Sequence, residues 1–385
     1  MLRIAHLESS IHMGGQELRI LDQIRWMQKE GHAAWLLARK DSAIYKEACR
    51  LDLPAHPIPF RGSANPGAVR AVQRFIKAHG IQLLDCHSAS AASTALLARL
   101  LGTPVVRTLH YDFKTDPIHT YLLRHGSDHF ITVSHWLADK LKNSKCSGQR
   151  MISVIPTGID LNKFDPEVDD RSLRQEFNIS DKAIVISAIA MIRPDKGQKY
   201  LIRSVDRIVD IRPETYFLIV GSATRKDFLY EIQSEIATLR HRDSVILTGF
   251  RRDPQKIIAA SDVIVNTSLF EPRSQVIHQA FAMKKLVIAS DTGGNQESIS
   301  HGRTGFLFRS ESVENLSQTI LTVLDHHTEL IEQIRERAYQ TAILEHGIDI
   351  MMEKTLNIYR KVIKTGRSLP ELQRRRYAHE ELTSE

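Results

Sequence analysis

Short apolar runs alternate with amphipathic runs along nearly the whole chain. In the first half the apolar runs predict strands, and most segments between them repeat apolar residues at helical spacing. These predicted strands are Leu2–Leu7, Ala33–Ala38, Ala55–Ile58, Leu83–Cys86, Val105–Leu109, His129–Val133 and Met151–Ile155. No helix is predicted between Val105–Leu109 and His129–Val133. Strands separated by helices cannot pair as hairpins, so the pattern predicts parallel sheets with crossover helices.

The alternation breaks at Ile155-Pro156-Thr157-Gly158 and then begins again. The second half predicts strands at Ala183–Ala190, Tyr216–Val220, Ser244–Leu247, Val263–Thr267, Leu286–Ser290 and Gly305–Phe308. A chain of 385 residues exceeds what one hydrophobic core usually serves. We therefore expect an N-terminal domain over 1–158 and a C-terminal domain over 159–348. Residues 349–385 should form a helix that packs back on the first domain, followed by a tail.

The positive charge of the chain lies in its first half. Residues 1–156 hold 20 Lys and Arg against 12 Asp and Glu, whereas the whole chain has a net charge of +7. Part of the excess comes from the amphipathic run Pro66 to His79, where Arg70, Arg74 and Lys77 recur at helical spacing. Such a face either is simply solvated or docks on an anionic membrane surface. No aromatic stacking platform accompanies the charge, so nucleic acid is not expected as a partner.

The three cysteines, Cys49, Cys86 and Cys146, lack metal-ligand spacing and cannot all pair. The first residues lack the charged segment and long apolar core of a signal peptide. No apolar run approaches the roughly 20 residues of a membrane span. We expect a cytoplasmic protein, either free or peripheral on the inner face of the membrane.

The densest group of polar residues at predicted strand ends lies between Ser268 and Phe308. Glu271 follows an apolar strand and precedes a helix-like run from Gln275 to Met283. After the next strand, Gly293-Gly294 leads into another helix-like run that begins with Asn295-Gln296-Glu297, and Gly302-Arg303-Thr304-Gly305-Phe306 follows. In doubly wound sheets ligands bind at this edge, and helix N-termini there favour anions.

This order of motifs resembles the donor-sugar site of retaining glycosyltransferases of family 4. The family pattern there is Glu-x7-Glu, a strand, Gly-Gly-x-x-Glu and Gly-x-x-Gly-Phe/Leu. The resemblance covers nearly the whole chain. It implies an α/β protein of the GT-B fold, with two Rossmann-like doubly wound domains facing each other across a cleft. It also implies transfer of a sugar from a nucleotide diphosphate sugar to a glycan or glycolipid acceptor, typically in lipopolysaccharide or other cell-surface glycan synthesis.

The resemblance assigns roles to residues of the second half. Lys196 matches the family lysine that holds the donor diphosphate, and Glu271 matches the glutamate that binds hydroxyls of the sugar. The backbone amides of Arg273, Ser274, Gln275 and Val276 would face the diphosphate at a helix N-terminus.

Two positions depart from the family pattern. The family arginine before the lysine falls on Met191, and we expect Arg193 to replace it, the alternative being a solvated loop charge. The second glutamate of Glu-x7-Glu is Gln279, which can still accept a hydrogen bond from the ribose but without charge assistance.

In the first half, Gly14-Gly15 follows the first strand, and His110 ends the strand Val105–Leu109. The resemblance places the two glycines against the donor diphosphate and acceptor, and His110 beside the anomeric carbon. Asp112 could orient His110. Ser134 also matches a family position, although it could equally be a helix N-cap.

His110, Lys196 and Glu271 are thus the predicted catalytic residues, and no cofactor or metal ion is expected. Without an evident carboxylate nucleophile, we expect same-face attack in which the leaving phosphate oxygen takes the acceptor proton. Two alternatives remain. An epimerase on the same fold would need acid and base pairs of carboxylates, and a degenerate sugar-binding protein would be consistent with Met191 and Gln279.

Overall fold

The computed structural model describes residues 1–60, 65–88, 91–169, 171–326 and 328–366, and the predicted tail beyond them lies outside the described residues. By its internal contacts the chain divides into two units. The first unit contains Met1–Pro156 and the chain from Met351 onward, and the second contains Thr157–Ile350. Both are α/β structures built on one parallel sheet, as the alternating pattern predicts.

The sheet of the first unit has seven parallel strands. The strands are β1 (Arg3–Glu8), β2 (Ala33–Ala38), β3 (Ala55–Pro57), β4 (Leu83–Cys86), β5 (Val105–Leu109), β6 (His129–Thr132) and β7 (Met151–Val154). The helices are α1 (Gly15–Lys29), α2 (Ala43–Arg50), α3 (Pro66–His79), α4 (Ala92–Leu100), α5 (Pro117–His125) and α6 (His135–Asn143). The strand order is β3-β2-β1-β4-β5-β6-β7. The order therefore reverses between β1 and β4.

The sheet of the second unit has six parallel strands. They are β8 (Ile184–Ile189), β9 (Thr215–Val220), β10 (Val245–Gly249), β11 (Val263–Asn266), β12 (Leu286–Ser290) and β13 (Phe306–Phe308). The helices are α7 (Arg171–Glu176), α8 (Gln198–Ile211), α9 (Lys226–Ala237), α10 (Pro254–Ala260), α11 (Gln275–Ala282), α12 (Asn295–Ser298), α13 (Val313–Asp325) and α14 (Thr328–Glu345). The order β10-β9-β8-β11-β12-β13 reverses between β8 and β11.

Each reversal of strand order opens a crevice at the carboxyl ends of two neighbouring strands, because their crossover helices lie on opposite faces of the sheet. Apolar strand residues pack with helices on both faces, so the strands read as near-continuous apolar runs. Polar side chains within such a run are exceptions. The two reversal points are therefore where ligand-binding side chains are expected.

The last described helix, α15 (Ile348–Gly366), begins at the end of the second unit and belongs to the first from Met351 onward. Its apolar face is buried, and the buried Tyr359 hydroxyl donates a 2.5 Å hydrogen bond to Asp85 in β4. The helix thus completes the first unit. Among the described residues, no helix combines the length and hydropathy that crossing a bilayer requires.

Helix α5 is the clearest departure from the predicted elements. Only Leu123 of this helix is buried, whereas Ile118 and Tyr121 are exposed. The helix therefore shows little apolar periodicity. A start signal is nevertheless present, since Asp116 caps the helix by accepting a hydrogen bond from the His119 amide and Pro117 occupies its first turn. The helix-like run predicted after Gly294 is only the four-residue α12.

Candidate active site

Lys196 lies in a tight turn, Pro194–Lys196, that follows β8. The next residue, Gly197, has φ of +64°, and a Cβ there would lie 2.2 Å from the carbonyl oxygen of Thr267. The Thr267 hydroxyl donates to the carbonyl oxygen of Lys196 at 2.9 Å. This close backbone packing requires glycine and holds the Lys196 loop against the loop that follows β11.

Lys196 and Glu271 form an ion pair across the strand-order reversal of the second unit. The Lys196 Nζ lies 2.7 Å from Glu271 Oε2, and the Ser268 hydroxyl donates to the same oxygen at 3.1 Å. The two side chains are only 11% and 8% exposed. The structure thus brings together two of the three predicted catalytic residues.

The glycine pair after β12 fixes the backbone at Glu271. The Gly294 amide donates to the Glu271 carbonyl oxygen at 2.8 Å. A Cβ on Gly293 would lie 2.6 Å from that oxygen, and one on Gly294 would lie 1.9 Å from the carbonyl oxygen of Pro272. Glycine is therefore needed at both positions, because a side chain would prevent the two backbone segments from approaching this closely. The pair positions Glu271 through these backbone contacts.

Helix α11 begins beside Glu271, so Ser274, Gln275 and Val276 lie at a helix N-terminus as predicted. Ser274 is the N-cap residue but makes no side-chain cap hydrogen bond. The N-terminus of a helix carries partial positive charge from its unpaired amides. It could therefore bind an anion next to the Lys196 ammonium.

The Arg273 side chain does not extend freely into solvent. Its guanidinium donates to Nε2 of the buried His278 at 2.9 Å, and His278 Nδ1 in turn donates to the Ser274 carbonyl oxygen at 3.0 Å. Burial, followed by the neighbouring Arg273 charge, lowers the pKa of His278 well below its usual value, so the imidazole remains neutral. Arg273 thereby supports the first turn of α11, and any contact of this residue with a diphosphate would come from its amide.

The two departures from the family pattern have different surroundings. The Arg193 guanidinium lies 2.6 Å from the Asp195 carboxylate, within the Lys196 loop. The side-chain amide of Gln198 donates to the Met191 carbonyl oxygen at 2.9 Å, so position 191 contributes its backbone to the loop. Gln279 is half-buried on α11. Because the helix begins only at Gln275, Gln279 lies about one turn into it rather than two helical turns after Glu271.

In the first unit, Gly14 is the extended N-cap of α1 and Gly15 is its first residue. The Gly14 amide donates to Glu17 Oε2 at 2.8 Å. Burial raises the pKa of Glu17, and it raises the pKa of Glu8, in the same region, to about 7. The glycine loop therefore lies beside two carboxyl groups that bind protons more readily than ordinary glutamates.

His110 belongs to a chain of three buried histidines. Its Nε2 is hydrogen-bonded to Nδ1 of His87 at 3.0 Å, and Nε2 of His87 is hydrogen-bonded to Nδ1 of His6 at 3.0 Å. His6 lies in β1 and His87 follows β4, so the chain spans the strand-order reversal of this unit. Burial lowers the pKa of His110 well below its ordinary value, with further contributions from His87, Arg19 and Arg107. His110 is therefore a neutral group at physiological pH.

The prediction that Asp112 orients His110 was wrong, because Asp112 pairs instead with Lys140 at 2.6 Å. The hydrogen-bond partner of His110 is His87. The sequence signals that could have revealed it are a histidine and an aspartate at the ends of otherwise apolar strands. Ser134 acts as a helix N-cap, its hydroxyl accepting the Leu137 amide at 3.2 Å.

The His6 end of the histidine chain has the chemistry to hold a metal ion. Atoms of His6, Asp85 and His87 lie within 4.8 Å of one another in a fully buried cluster. Nitrogen and carboxylate donors at such spacing suit a tetrahedral divalent cation. The cluster already has internal hydrogen bonds, and Asp85 accepts from Thr108 and from Tyr359. The nearby Arg19 cation opposes a second positive charge.

Two cavities lie near predicted residues. One, of about 430 Å³, lies in the first unit and is bordered by Glu17, His87, Arg107 and His110. The other, of about 550 Å³, lies between α8 and α9 in the second unit and includes Arg193 and Gly197 in its wall. The first cavity is thus located at the end of the histidine chain, where an acceptor could reach His110.

Two family models match the chain. "Glycosyltransferase Family 4" matches residues 13–163, and "Glycosyl transferases group 1" matches residues 169–341, so together they cover most of the chain. One curated relative is the Escherichia coli UDP-Gal:alpha-D-GlcNAc-diphosphoundecaprenol alpha-1,3-galactosyltransferase. It is 25% identical over 280 residues, covering 66% of this chain and 69% of that protein.

Solved structures of the same fold cover nearly the full chain. A glycosyltransferase from Rickettsia africae superposes with a TM-score of 0.83 at 23% identity, over 94% of this chain and 99% of the other. Anabaena HepE, solved in complex with UDP-glucose, superposes with a TM-score of 0.82 at 22% identity, over 96% of this chain and 100% of the other. At these identities the likeness establishes the fold of each unit.

Proposed function

The chain belongs to the family 4 glycosyltransferases of GT-B fold, enzymes that use nucleotide sugars, and on that premise we propose its reaction. The enzyme transfers a sugar from a nucleotide diphosphate sugar to an acceptor hydroxyl with retention of anomeric configuration. The acceptor belongs to lipopolysaccharide or another cell-surface glycan. The observation that carries the proposal is the buried Lys196–Glu271 pair at the strand-order reversal of the second unit.

In this proposal, contacts with the donor replace part of the contact between Lys196 and Glu271. The diphosphate approaches Lys196 Nζ and the amides at the start of α11, and the Glu271 carboxylate accepts hydrogen bonds from sugar hydroxyls. Gln279, on α11, accepts a hydrogen bond from a ribose hydroxyl. As the bond from C1 to the leaving oxygen breaks, its electron pair moves to the diphosphate. Preorganised positive charge stabilises this developing anion.

The acceptor hydroxyl then attacks C1 from the face that the diphosphate leaves, and its proton passes to the leaving phosphate oxygen. We propose that Lys196 and the helix amides supply the positive charge, so that no metal ion or other cofactor takes part. His110 and the Gly14-Gly15 loop belong to the acceptor side in this scheme. A neutral His110 can exchange a hydrogen bond with the substrate without adding charge.

The glycolipid acceptor is supported by the name of the Escherichia coli relative, which acts on a sugar linked to diphosphoundecaprenol. Surface chemistry of the first unit agrees with a membrane-bound acceptor. The three basic residues of α3, Arg70, Arg74 and Lys77, are exposed. Helix α4, which packs against α3 and α5, exposes Leu100, and α5 exposes Ile118. We propose that this surface docks on the cytoplasmic face of an anionic membrane.

We expect vesicles containing phosphatidylglycerol to bind the protein, and replacement of the three basic α3 residues by alanine to weaken binding roughly 100-fold. Each basic residue near an anionic surface contributes about 1 kcal/mol. Co-sedimentation with vesicles at physiological salt measures this. The matched control replaces Lys182, Arg207 and Lys226 of the second unit, which are also exposed and carry the same charge. Equal binding by both triple variants would contradict docking through α3.

The reaction is tested first by thermal shifts with UDP-, GDP- and ADP-sugars in the presence of EDTA. A ligand at about 100 times its Kd stabilises the folded protein by roughly 2.7 kcal/mol. We expect one nucleotide class to raise Tm without metal. That donor is then incubated with sugar and glycolipid acceptors, and proton NMR of the first product reads the anomeric configuration.

Each other outcome has a definite meaning. Unchanged Tm with all donors contradicts nucleotide-sugar binding as proposed. Donor binding without any transfer identifies a sugar-binding protein, and a donor epimer formed without acceptor identifies an epimerase. A product of inverted configuration rejects same-face attack. A shift that appears only after Mg²⁺ is added rejects the metal-free scheme.

A further inference from the structure

The cavity of the first unit has one apolar part and one cationic part. Leu109, Leu122 and Leu123 supply apolar wall, while Arg107 and the exposed Lys114 supply positive charge. The cavity volume of about 430 Å³ is sufficient for a sugar with a substituent. An uncharged sugar does not by itself require two cations in the wall.

Arg107 is the unusual member of this wall. It extends from β5 and is 7% exposed, yet no carboxylate among the described residues forms an ion pair with it. Its NH1 donates to Cys86 Sγ at 3.4 Å, and its Nε has no hydrogen-bond partner among the described residues. A buried cation is costly unless it is paired. Folding alone therefore does not explain an arginine at this position.

The neighbouring acids do not balance this charge. Burial raises the pKa of the Cys86 thiol to about 11, so it remains an uncharged thiol at neutral pH. Asp112 is paired with Lys140. Glu17 accepts the Gly14 amide, and burial raises its pKa. None of these groups forms an ion pair with Arg107, so a bound anion could supply the missing partner.

We propose that Arg107 binds an oxyanion of the acceptor, a phosphate or a carboxylate attached to or near the acceptor sugar. This rests on the proposed function and adds a substrate class and a specificity residue to it. Arginine suits the task because its planar guanidinium can donate two parallel hydrogen bonds to one oxyanion. His110 lies three residues further along the same strand end and borders the same cavity. The anion is therefore held next to the group expected to contact the reacting hydroxyl.

The oxyanion could belong to a phosphate or to a carboxylate, and a set of synthetic acceptors distinguishes these two sources. Each candidate sugar is offered as a neutral octyl glycoside, as an octyl glycosyl diphosphate and as the octyl glycoside of its uronic acid. We expect one anionic form to exceed the neutral form in kcat/KM by roughly 10- to 100-fold, the range of one hydrogen bond to a charged group. The preferred form identifies diphosphate or carboxylate as the source.

Arg107→Met should reduce transfer to the anionic acceptor to the level of the neutral one, mainly through KM. Transfer to the neutral acceptor should fall much less, and the donor-induced thermal shift should be unchanged. Arg107→Lys should restore part of the preference, since lysine keeps the charge but not the fork of donors. Arg124→Met, an exposed arginine of the same unit, is the matched control and should behave as wild type.

Measurements of stability and of anion binding distinguish a structural role of Arg107 from the proposed binding role. Removing an unpaired buried charge should leave Tm unchanged or higher, whereas a Tm well below wild type would indicate a structural role and overturn the proposal. Binding of octyl diphosphate is also measured by calorimetry, with the donor site saturated by the nucleoside diphosphate of the donor class that raises Tm. Equal affinity for wild type and Arg107→Met overturns the subsite even if no acceptor has been found. Absence of a donor thermal shift refutes the proposed function instead.

Discussion

Lys196→Ala is expected to lower kcat/KM for sugar transfer by roughly 100-fold or more, the effect of removing one preorganised contact to a developing anion. The Lys196 ammonium is held 2.7 Å from Glu271 Oε2, so groups of the protein itself fix its position. Initial rates at limiting donor concentration measure the effect. Lys182→Ala, an exposed lysine of the same unit, should retain wild-type activity.

The same substitution also leaves the Glu271 carboxylate buried without its cation. Such a loss costs roughly 3–5 kcal/mol in other proteins. Tm must therefore be measured alongside activity. The double variant Lys196→Met, Glu271→Gln should recover stability but remain inactive. Near-normal turnover by folded Lys196→Ala would contradict the assignment of Lys196 to the diphosphate.

Gly294→Ala is expected to displace the Glu271 loop and to abolish donor binding, because its Cβ would lie 1.9 Å from the carbonyl oxygen of Pro272. Gly294 has ordinary helical dihedral angles, φ −71° and ψ −8°, so the effect comes from the clash alone. Overpacking of this kind costs about 1–3 kcal/mol, and more where backbone must move. Thermal denaturation and the donor-induced Tm shift measure the two effects.

The matched control for this clash is Gly347→Ala in the same unit. There the nearest atom to an added Cβ is Leu161 Cδ1 at 3.5 Å, an ordinary van der Waals distance. We expect little change in stability. Wild-type donor binding by Gly294→Ala would show that the glycine pair does not set the position of Glu271.

The alternation of apolar and amphipathic runs was sufficient to predict the α/β fold, because strands buried on both faces appear in the sequence as continuous apolar runs. It failed at α5, where a single buried residue gives no periodicity and only the cap Asp116-Pro117 marks the start. It overestimated the segment after Gly294, where four residues form the short helix.

The site was predictable where one motif contains its parts and less so where strands distant in sequence contribute. Glu271 and the glycine pair are close in sequence, and Lys196 was placed by its own short motif. The histidine chain joins β1, the end of β4 and the end of β5, so His110 seemed isolated. Polar residues inside apolar parallel strands, such as His6 and Asp85, were the available signal. The unpaired state of Arg107 required the surrounding side chains to be seen.

The return of α15 to the first unit has a consequence for biosynthesis. The first unit lacks its last helix until Met351 and the residues after it have been made, almost 200 residues beyond Pro156. At about 5–20 residues per second, the ribosome takes roughly 10–40 s to synthesise that stretch. During this time the apolar surface that later packs against Met352 and Leu356 lacks its cover, and Asp85 lacks the Tyr359 hydroxyl. The second unit is continuous in sequence, so the half of the protein that is translated first cannot be completed before the half that follows it.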